Sequence, residues 1–311
     1  MSMARIRRNT GMLVIVAGVV MGVTVALAGS AHAATDYQIG TFNMAGGNEE
    51  HGPKGNEAPD ALVRSVKDRE PAFIALQEAC RDWSDRLDSE LPDYTVKFDP
   101  VKTSKSGSTA KCKHPSDFGN AVLYRNDFGI DSENPPAYDL KSPDGREQRE
   151  MLCVQAKAKK VVVCSIHLSA GRDDADKEAR IVEAKEARRI LAEKYPGYVQ
   201  FVGGDLNADP LSAVTDIFYH RDYGYGAHGE FKEVDSPCGN DIEVNIPASA
   251  FSLPCRGGEP TSDDWAFGED RPVGAKKIDF IFVSQPVKVR SGDATVAPHS
   301  DHDPLWAGVN F

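Results

Sequence analysis

The chain has 311 residues, 41% of them apolar, and a formal net charge of -11. That is enough length and apolar content for one large domain with a sizeable core. Residues 1–33 carry Arg5, Arg7 and Arg8 and no acid, so -11 less three positive charges leaves -14 for the remainder. Such a charge argues against unaided tracking of a phosphate backbone. It suits a protein that recruits divalent cations to an anionic substrate, or one that is acidic for solubility alone.

The N-terminus reads as an export signal. Arg5, Arg7 and Arg8 form a positive region, Met12 to Ala28 is an apolar run, and Ala31-His32-Ala33 is a small-x-small cleavage site. Cleavage is expected after Ala33, leaving one domain over residues 34–311, secreted.

In the exported part, Ile39 to Asn43 reads as a short strand followed by a Gly-rich loop, Met44 to Pro59. Ala61 to Arg69 reads as a helix with Leu62, Val63 and Val66 on one face. Ala72 to Leu76 is a buried strand that Gln77-Glu78 end. A second helix is expected over Asp82 to Leu91, then a strand over Tyr94 to Phe98. The loop Lys102 to His114 is rich in Ser and Lys and leads to a strand, Asn120 to Tyr124. Leu152 to Ala156 and Val161 to Ile166 form a hairpin that runs into His167. Asp174 to Lys194 is a long helix.

Tyr198 to Val202 is a strand, and Gly203-Gly204 lets the backbone bend and approach something closely before Asp205-Leu-Asn207. Pro210 opens a short helix, Leu211 to Tyr219. Asp222 to Val273 is irregular. Strands are expected at Ile278 to Val283, with Asp279 where an apolar residue should be, at Val287 to Val296, and up to Phe311. Strands alternate with helices in the first half and pair as hairpins elsewhere, which predicts a mixed sheet core with helices outside.

All six cysteines lie in the exported part, as an oxidising compartment would allow. The hairpin register sets Cys153 opposite Cys164, at the separation a disulfide needs. Cys238 and Cys255 close a loop in the irregular stretch, and Cys80 and Cys112 pair by elimination. No Cys-x-x-Cys occurs, which disfavours a zinc site.

Polar residues recur where apolar runs end: Asn43, Glu78, His167, Asp205 with Asn207, and Asp301 with His302, while Asp279 interrupts a strand. Each has a structural alternative. Asp205-x-Asn207 can be an Asx turn, Glu78 a helix cap, His167 a satisfied core histidine, Asp279 a partner of Lys276 or Lys277, and Asp301-His302 an exposed turn. Together they point to one sheet edge where strand ends converge. Carboxylates and amides without cysteine suit Mg²⁺ or Mn²⁺. Histidines beside a metal supply acid and base groups near neutral pH. With no phosphate-cradling Gly-rich loop and no nucleophile elbow, water is the expected nucleophile and a phosphate ester the electrophile.

Thr41-Phe-Asn43, Leu76-Gln-Glu78, Gly119-Asn120-Ala, Ile166-His167-Leu, Gly204-Asp205-Leu-Asn207, Ile278-Asp279-Phe-Ile and Ser300-Asp301-His302 stand in this order. In that order the chain resembles the endonuclease/exonuclease/phosphatase superfamily from Tyr37 to Phe311. The resemblance implies a four-layer α/β sandwich, two mixed sheets face to face with outer helices. It implies that Glu78 is the principal metal ligand, with Asn43 and Asp301 beside it. Asp205 and Asn207 would orient the attacking water, and His302, oriented by Asp279, would contact the scissile phosphate. His167 matches the deoxyribonuclease-like, sphingomyelinase-like and phosphatase-like branches rather than the abasic-site branch. Asn120 and Arg149 would contact phosphate.

The expected activity is Mg²⁺-dependent phosphodiester hydrolysis on DNA or RNA by a monomer without a stable protein partner. Alternatives are a sphingomyelinase or phospholipase C-type enzyme, a secreted phosphomonoesterase, or an inactive binding module on the same scaffold. Phe231, Phe251, Trp265 and Phe267 could face a phospholipid substrate, but acids surround them. Lys102, Lys105, Lys111, Lys113 and His114 could hold flanking phosphates, or be a solvated loop.

Overall fold

The computed structural model describes residues 35–311 except 104–105, 132, 144–146, 239–254, 263–276 and 298. The expected export signal, Lys105, Phe251, Trp265 and Phe267 lie outside the described residues.

Two six-stranded sheets face each other. One contains β1 (Asp36–Asn43), β2 (Phe73–Cys80), β3 (Tyr94–Pro100), β4 (Phe118–Arg125), β11 (Lys288–Ala294) and β12 (Leu305–Asn310), in the order β11-β12-β1-β2-β4-β3. The other contains β5 (Ala137–Asp139), β6 (Glu150–Ala156), β7 (Val161–His167), β8 (Val199–Asp205), β9 (Phe231–Glu233) and β10 (Asp279–Ser284), in the order β5-β6-β7-β8-β10-β9. Each sheet is mixed. β1 runs parallel to β2 and β7 parallel to β8, each pair joined through a helix as parallel neighbours require.

The helices cover the outer faces. Leu62 and Val66 of α1 (Glu57–Arg69) and Trp83 and Leu87 of α2 (Arg81–Glu90) share a core with Phe42, Ile74 and Leu123. Ala184, Ala187 and Leu191 of α3 (Asp174–Lys194) pack with Val162, Val202 and Phe280. Between the sheets lie Ile39, Phe73, Val163, Phe201 and Ile281. The four layers expected from the resemblance are present.

Side chains alternate along a strand with period two, and this sends a graded series down the inter-sheet face. Ile39, Phe73, Val163 and Phe201 are apolar and buried. Two residues on come Thr41, Ala75, Ser165 and Gly203, and two further come Asn43, Gln77, His167 and Asp205. In the middle layer the sheets touch through polar groups. Gln77 Nε2 donates to Ser165 Oγ at 2.9 Å, and Ser165 Oγ donates to the Leu76 carbonyl at 2.8 Å.

Several boundaries differ from expectation. α1 starts at Glu57, because Pro59 lies in the first helical turn, where its missing N–H is no loss. β2 does not end at Gln77-Glu78 but runs to Cys80 through a register break between Leu76 and Ala79. The glycine pair is not a bend. Gly203 and Gly204 sit inside β8, where a Cβ on Gly203 would stand 2.8 Å from that of Ala75 across the sheets. The helix after Pro210 shrinks to α4 (Ala213–Asp216), capped by Ser212, and the buried Arg256 guanidinium takes the Pro210 carbonyl ahead of it. The irregular stretch hides β9, and β5 also escaped notice; both are three residues long.

All three expected disulfides are present, Cys80–Cys112, Cys153–Cys164 and Cys238–Cys255. Cys153 and Cys164 are register partners of β6 and β7.

Candidate active site

The inter-sheet cleft opens where β1, β2, β7 and β8 end and β10 begins. Asn43 closes β1, His167 closes β7 and Asp205 closes β8, while Asp279 opens β10 as the register partner of Asp205. Four strands thus deliver four polar side chains to one rim.

His302 is the centre of this group. Its Nδ1 lies 2.8 Å from Asp279 Oδ2, while Nε2 faces Asp205 Oδ2 at 3.7 Å and the Asn43 amide at 3.5 Å. All three partners are buried. Burial alone would depress the imidazole, but Asp279 and Asp205 outweigh it and hold His302 well above the usual histidine range. Asp205 itself is pushed up to about 7 by burial, against the pull of His302. The structural alternative, a pairing of Asp279 with Lys277, is not formed, and Lys276 lies outside the described residues. Lys277 instead meets Glu233 at 3.3 Å and Asp235 at 3.1 Å.

The Asx turn and the site are the same object. Asp205 Oδ1 accepts the Asn207 N–H at 2.8 Å, and Oδ2 accepts the Asn43 amide at 3.0 Å. Asn207 has φ 49, a left-handed conformation that asparagine tolerates. Its amide donates to the Leu168 carbonyl at 3.1 Å and lies 3.3 Å from His167 Nε2. His167 is sandwiched: Arg149 Nη1 sits 3.0 Å from Nδ1, and Nε2 is 3.4 Å from Asp205 Oδ2. Burial, with Arg149 beside it, holds His167 well below the usual histidine range. The two histidines, separated by one aspartate, are thus pushed in opposite directions.

Glu78 reaches the rim by a bulge. Side-chain alternation would send it to the helix side, away from Gln77. Its φ of 49, inside the register break of β2, re-aims the carboxylate. Gly47 N–H donates to Oε2 at 2.9 Å, and the Asn43 amide stands 3.4 Å from Oε1, longer than a good N–H···O bond. Burial raises the Glu78 pKa, and Asp301 adds to the rise. Asp301 is half-buried and accepts the Asn48 amide at 2.8 Å. Two neighbouring carboxylates, flanked by amides and without sulfur, fit a hard divalent cation.

Two other clusters of potential ligands fit less well. Cys80, Asp82 and His114 lie together, but Cys80 is in a disulfide. Asp205, Asp279 and His302 are also grouped, but their ligand atoms already bond one another and Asn43.

Asn120 and Arg149 lie at the side of this rim. The Asn120 amide donates to the Glu150 carbonyl at 3.3 Å, and Arg149 Nη1 pairs with Glu147 at 3.0 Å. Asn48, Gly47 and Gln77 are the participants that sequence reading missed. Gln77 stood next to a chosen residue, while Asn48 and Gly47 sit in a loop with no periodic pattern.

A two-sheet sandwich whose cleft ends in carboxylates, amides and paired histidines is how phosphoesterases of one large group are built. A sequence model of the endonuclease/exonuclease/phosphatase family matches residues 40–302, and the chain belongs to that family. No curated protein matches it in sequence. Among solved structures it is similar to an endonuclease/exonuclease/phosphatase from Bacteroides vulgatus, with TM-score 0.60, 22% identity, and 88% of this chain and 98% of that one covered. It is also similar to the human Nocturnin catalytic domain with bound sulfate, with TM-score 0.60, 16% identity, and 88% and 93% covered. A mannosyl-6-phosphatase from Bacteroides thetaiotaomicron gives TM-score 0.56, 16% identity, and 88% and 100% covered.

Proposed function

We propose that this protein is an exported, divalent-cation-dependent phosphodiesterase acting on nucleic acid. The observation that carries the phosphoesterase reading is the buried series Asp279–His302–Asp205, facing the Glu78–Asp301 pair across Asn43.

In this reading Asp279 fixes the His302 ring, and the protonated imidazole directs its Nε2–H at a non-bridging phosphoryl oxygen, whose charge grows in the transition state. Asp205 accepts the proton of the attacking water, since burial makes it a stronger base than an ordinary carboxylate. Asn207 and Asn43 hold Asp205 in place through their amides. Arg149 donates to His167 Nδ1 and so leaves the proton of the neutral ring on Nε2, facing Asp205 Oδ2. Glu78 and Asp301, with Asn43 beside them, would hold Mg²⁺ or Mn²⁺, which when bound neutralises charge on the phosphate ester. Export fits the three disulfides and the N-terminal signal pattern.

A second reading has its own support. Asp99, Glu147 and Glu150 gather beside Asn120 and Arg149. Burial, with Asp99 close by, pushes Glu150 up to about 9. Asp99 and Glu147 would repel the flanking phosphates of a polynucleotide, and the protonated Glu150 carboxyl could exchange hydrogen bonds with hydroxyls. Lys111 and Lys113 already pair with Asp117 and Glu49, although they remain accessible. Both features favour a small hydroxylated phosphomonoester, such as a sugar phosphate.

The test is an activity panel on the exported chain with plasmid DNA, RNA, sphingomyelin and a sugar phosphomonoester, each with Mg²⁺ and with EDTA. Nicking of DNA or RNA that EDTA abolishes is expected. Release of phosphate from the sugar ester alone would replace the first reading with the second. Full activity in EDTA would sink the metal mechanism.

A further inference from the structure

The geometry points to Thr261 as a positioning residue for the Asp279–His302 pair. Strand β10 has an uncovered beginning. β9 pairs with it only at Phe282 to Ser284, and Val234 N–H reaches the Ile281 carbonyl, so among the described residues no strand pairs with Ile278 and Asp279 on that edge. Thr261 takes the place of one. Its Oγ1 accepts the N–H of Ile278 at 3.1 Å and the N–H of Asp279 at 3.0 Å. Its carbonyl accepts the N–H of Asp303 at 2.9 Å, and the next residue, Ser262, forms a β-bridge with His302. A single residue thus holds the backbone on both sides of the 2.8 Å Asp279–His302 contact.

Asp279 needs that support. Its Oδ1 is buried without a hydrogen-bond partner, so among the described residues His302 alone forms a side-chain hydrogen bond to the carboxylate. The carboxylate can turn only as far as its backbone allows, and that backbone is held by β8 on one side and by the Thr261 hydroxyl on the other. Thr261 is fully buried, so water cannot replace it.

The strap that carries Thr261 is itself fastened at its far end. Cys255 is bonded to Cys238, and its carbonyl accepts Ser236 Oγ at 2.9 Å. Arg256 is buried among the carbonyls of Pro210, Gly224 and Tyr225, and Glu259 N–H bonds Asp235 at 2.7 Å. Position 261 is therefore a fixed point from which β10 and the His302 turn are registered.

Two variants test the assignment: Thr261→Val, which keeps shape and loses the hydroxyl, and Thr261→Ser, which keeps the hydroxyl. The first readout is the downfield ring N–H signal of His302 in protein labelled with ¹⁵N-histidine, assigned with His302→Ala. It is expected to shift or vanish in Thr261→Val and to persist in Thr261→Ser. The second readout rests on the phosphoesterase reading: kcat should fall about tenfold or more in Thr261→Val with KM little changed, and recover in Thr261→Ser. If the parent hydrolyses no phosphate ester, the functional reading fails while the ring signal still decides the role of Thr261. An unchanged signal in a folded Thr261→Val overturns the assignment. Should the valine variant not fold, loss of the signal in Thr261→Ser overturns it, since serine retains the only group required.

Discussion

Glu78 shows how much one residue's backbone can matter. Its carboxylate reaches the rim only because φ is 49 within a broken register. Glu78→Gln keeps that conformation and the size of the side chain, but removes the charge that would face a cation. Activity on the substrate identified by the panel is expected to fall by about three orders of magnitude or more, with thermal unfolding nearly unchanged. Circular dichroism with single-turnover kinetics checks both halves, and a variant with near-parental rates would remove Glu78 from the metal set. The residue type and its place after an apolar run were legible in the sequence. The bulge was not, because it is imposed by pairing with β4, more than 30 residues along the chain.

At the scale of elements, the sheets approach closely because small residues face one another in the layer beneath the site. A Cβ on Gly203 would meet that of Ala75 at 2.8 Å and that of Thr41 at 3.1 Å. Gly203→Ala is expected to cost about 1–3 kcal/mol, as overpacking of a rigid interior does. Ala75→Gly in the same chain should recover part of the loss, because the two methyl groups compete for one space. Urea unfolding of the single and double variants measures this, and simple additivity would mean the sheets adjust elsewhere. Strands that are short apolar runs were legible, as was the register that brings Cys153 to Cys164. The three-residue strands β5 and β9 were not, since so few residues carry no period. Thr261 and Asn48 were missed for a related reason: their partners, Asp279 and Asp301, are distant in sequence and no local pattern links them.

The whole molecule carries buried acids that are out of their ordinary range. Glu233, fully buried, faces Lys277 and Asp235 with Tyr219 and Tyr223 nearby, and is pushed up to about 8, mainly by burial. One cation between two carboxylates is neutral only if one of them keeps a proton. A carboxyl whose folded pKa is raised binds its proton more tightly when folded. Its contribution is full below the unfolded value, near 4.5, and is lost as pH rises through about 8. Stability is thus expected to decline from pH 5 to pH 8.5, and Glu233→Gln should flatten the decline. Each pKa unit corresponds to about 1.4 kcal/mol, so even a fraction of the shift is measurable by urea unfolding at the two pH values. Parallel pH profiles for parent and variant would show that Glu233 is ionised in the folded state.

The strand order of the first sheet also governs timing. β1 lies between β2 and β12, with Asp36 paired to Asn310 across nearly the whole chain. During synthesis β1 keeps one vacant edge until β12 arrives. Asn43, at the tip of that first strand, meets His302 only then. Closing such long-range pairs makes folding slow. It also means that the cleft between the sheets assembles only once almost all of the described chain is available to fold.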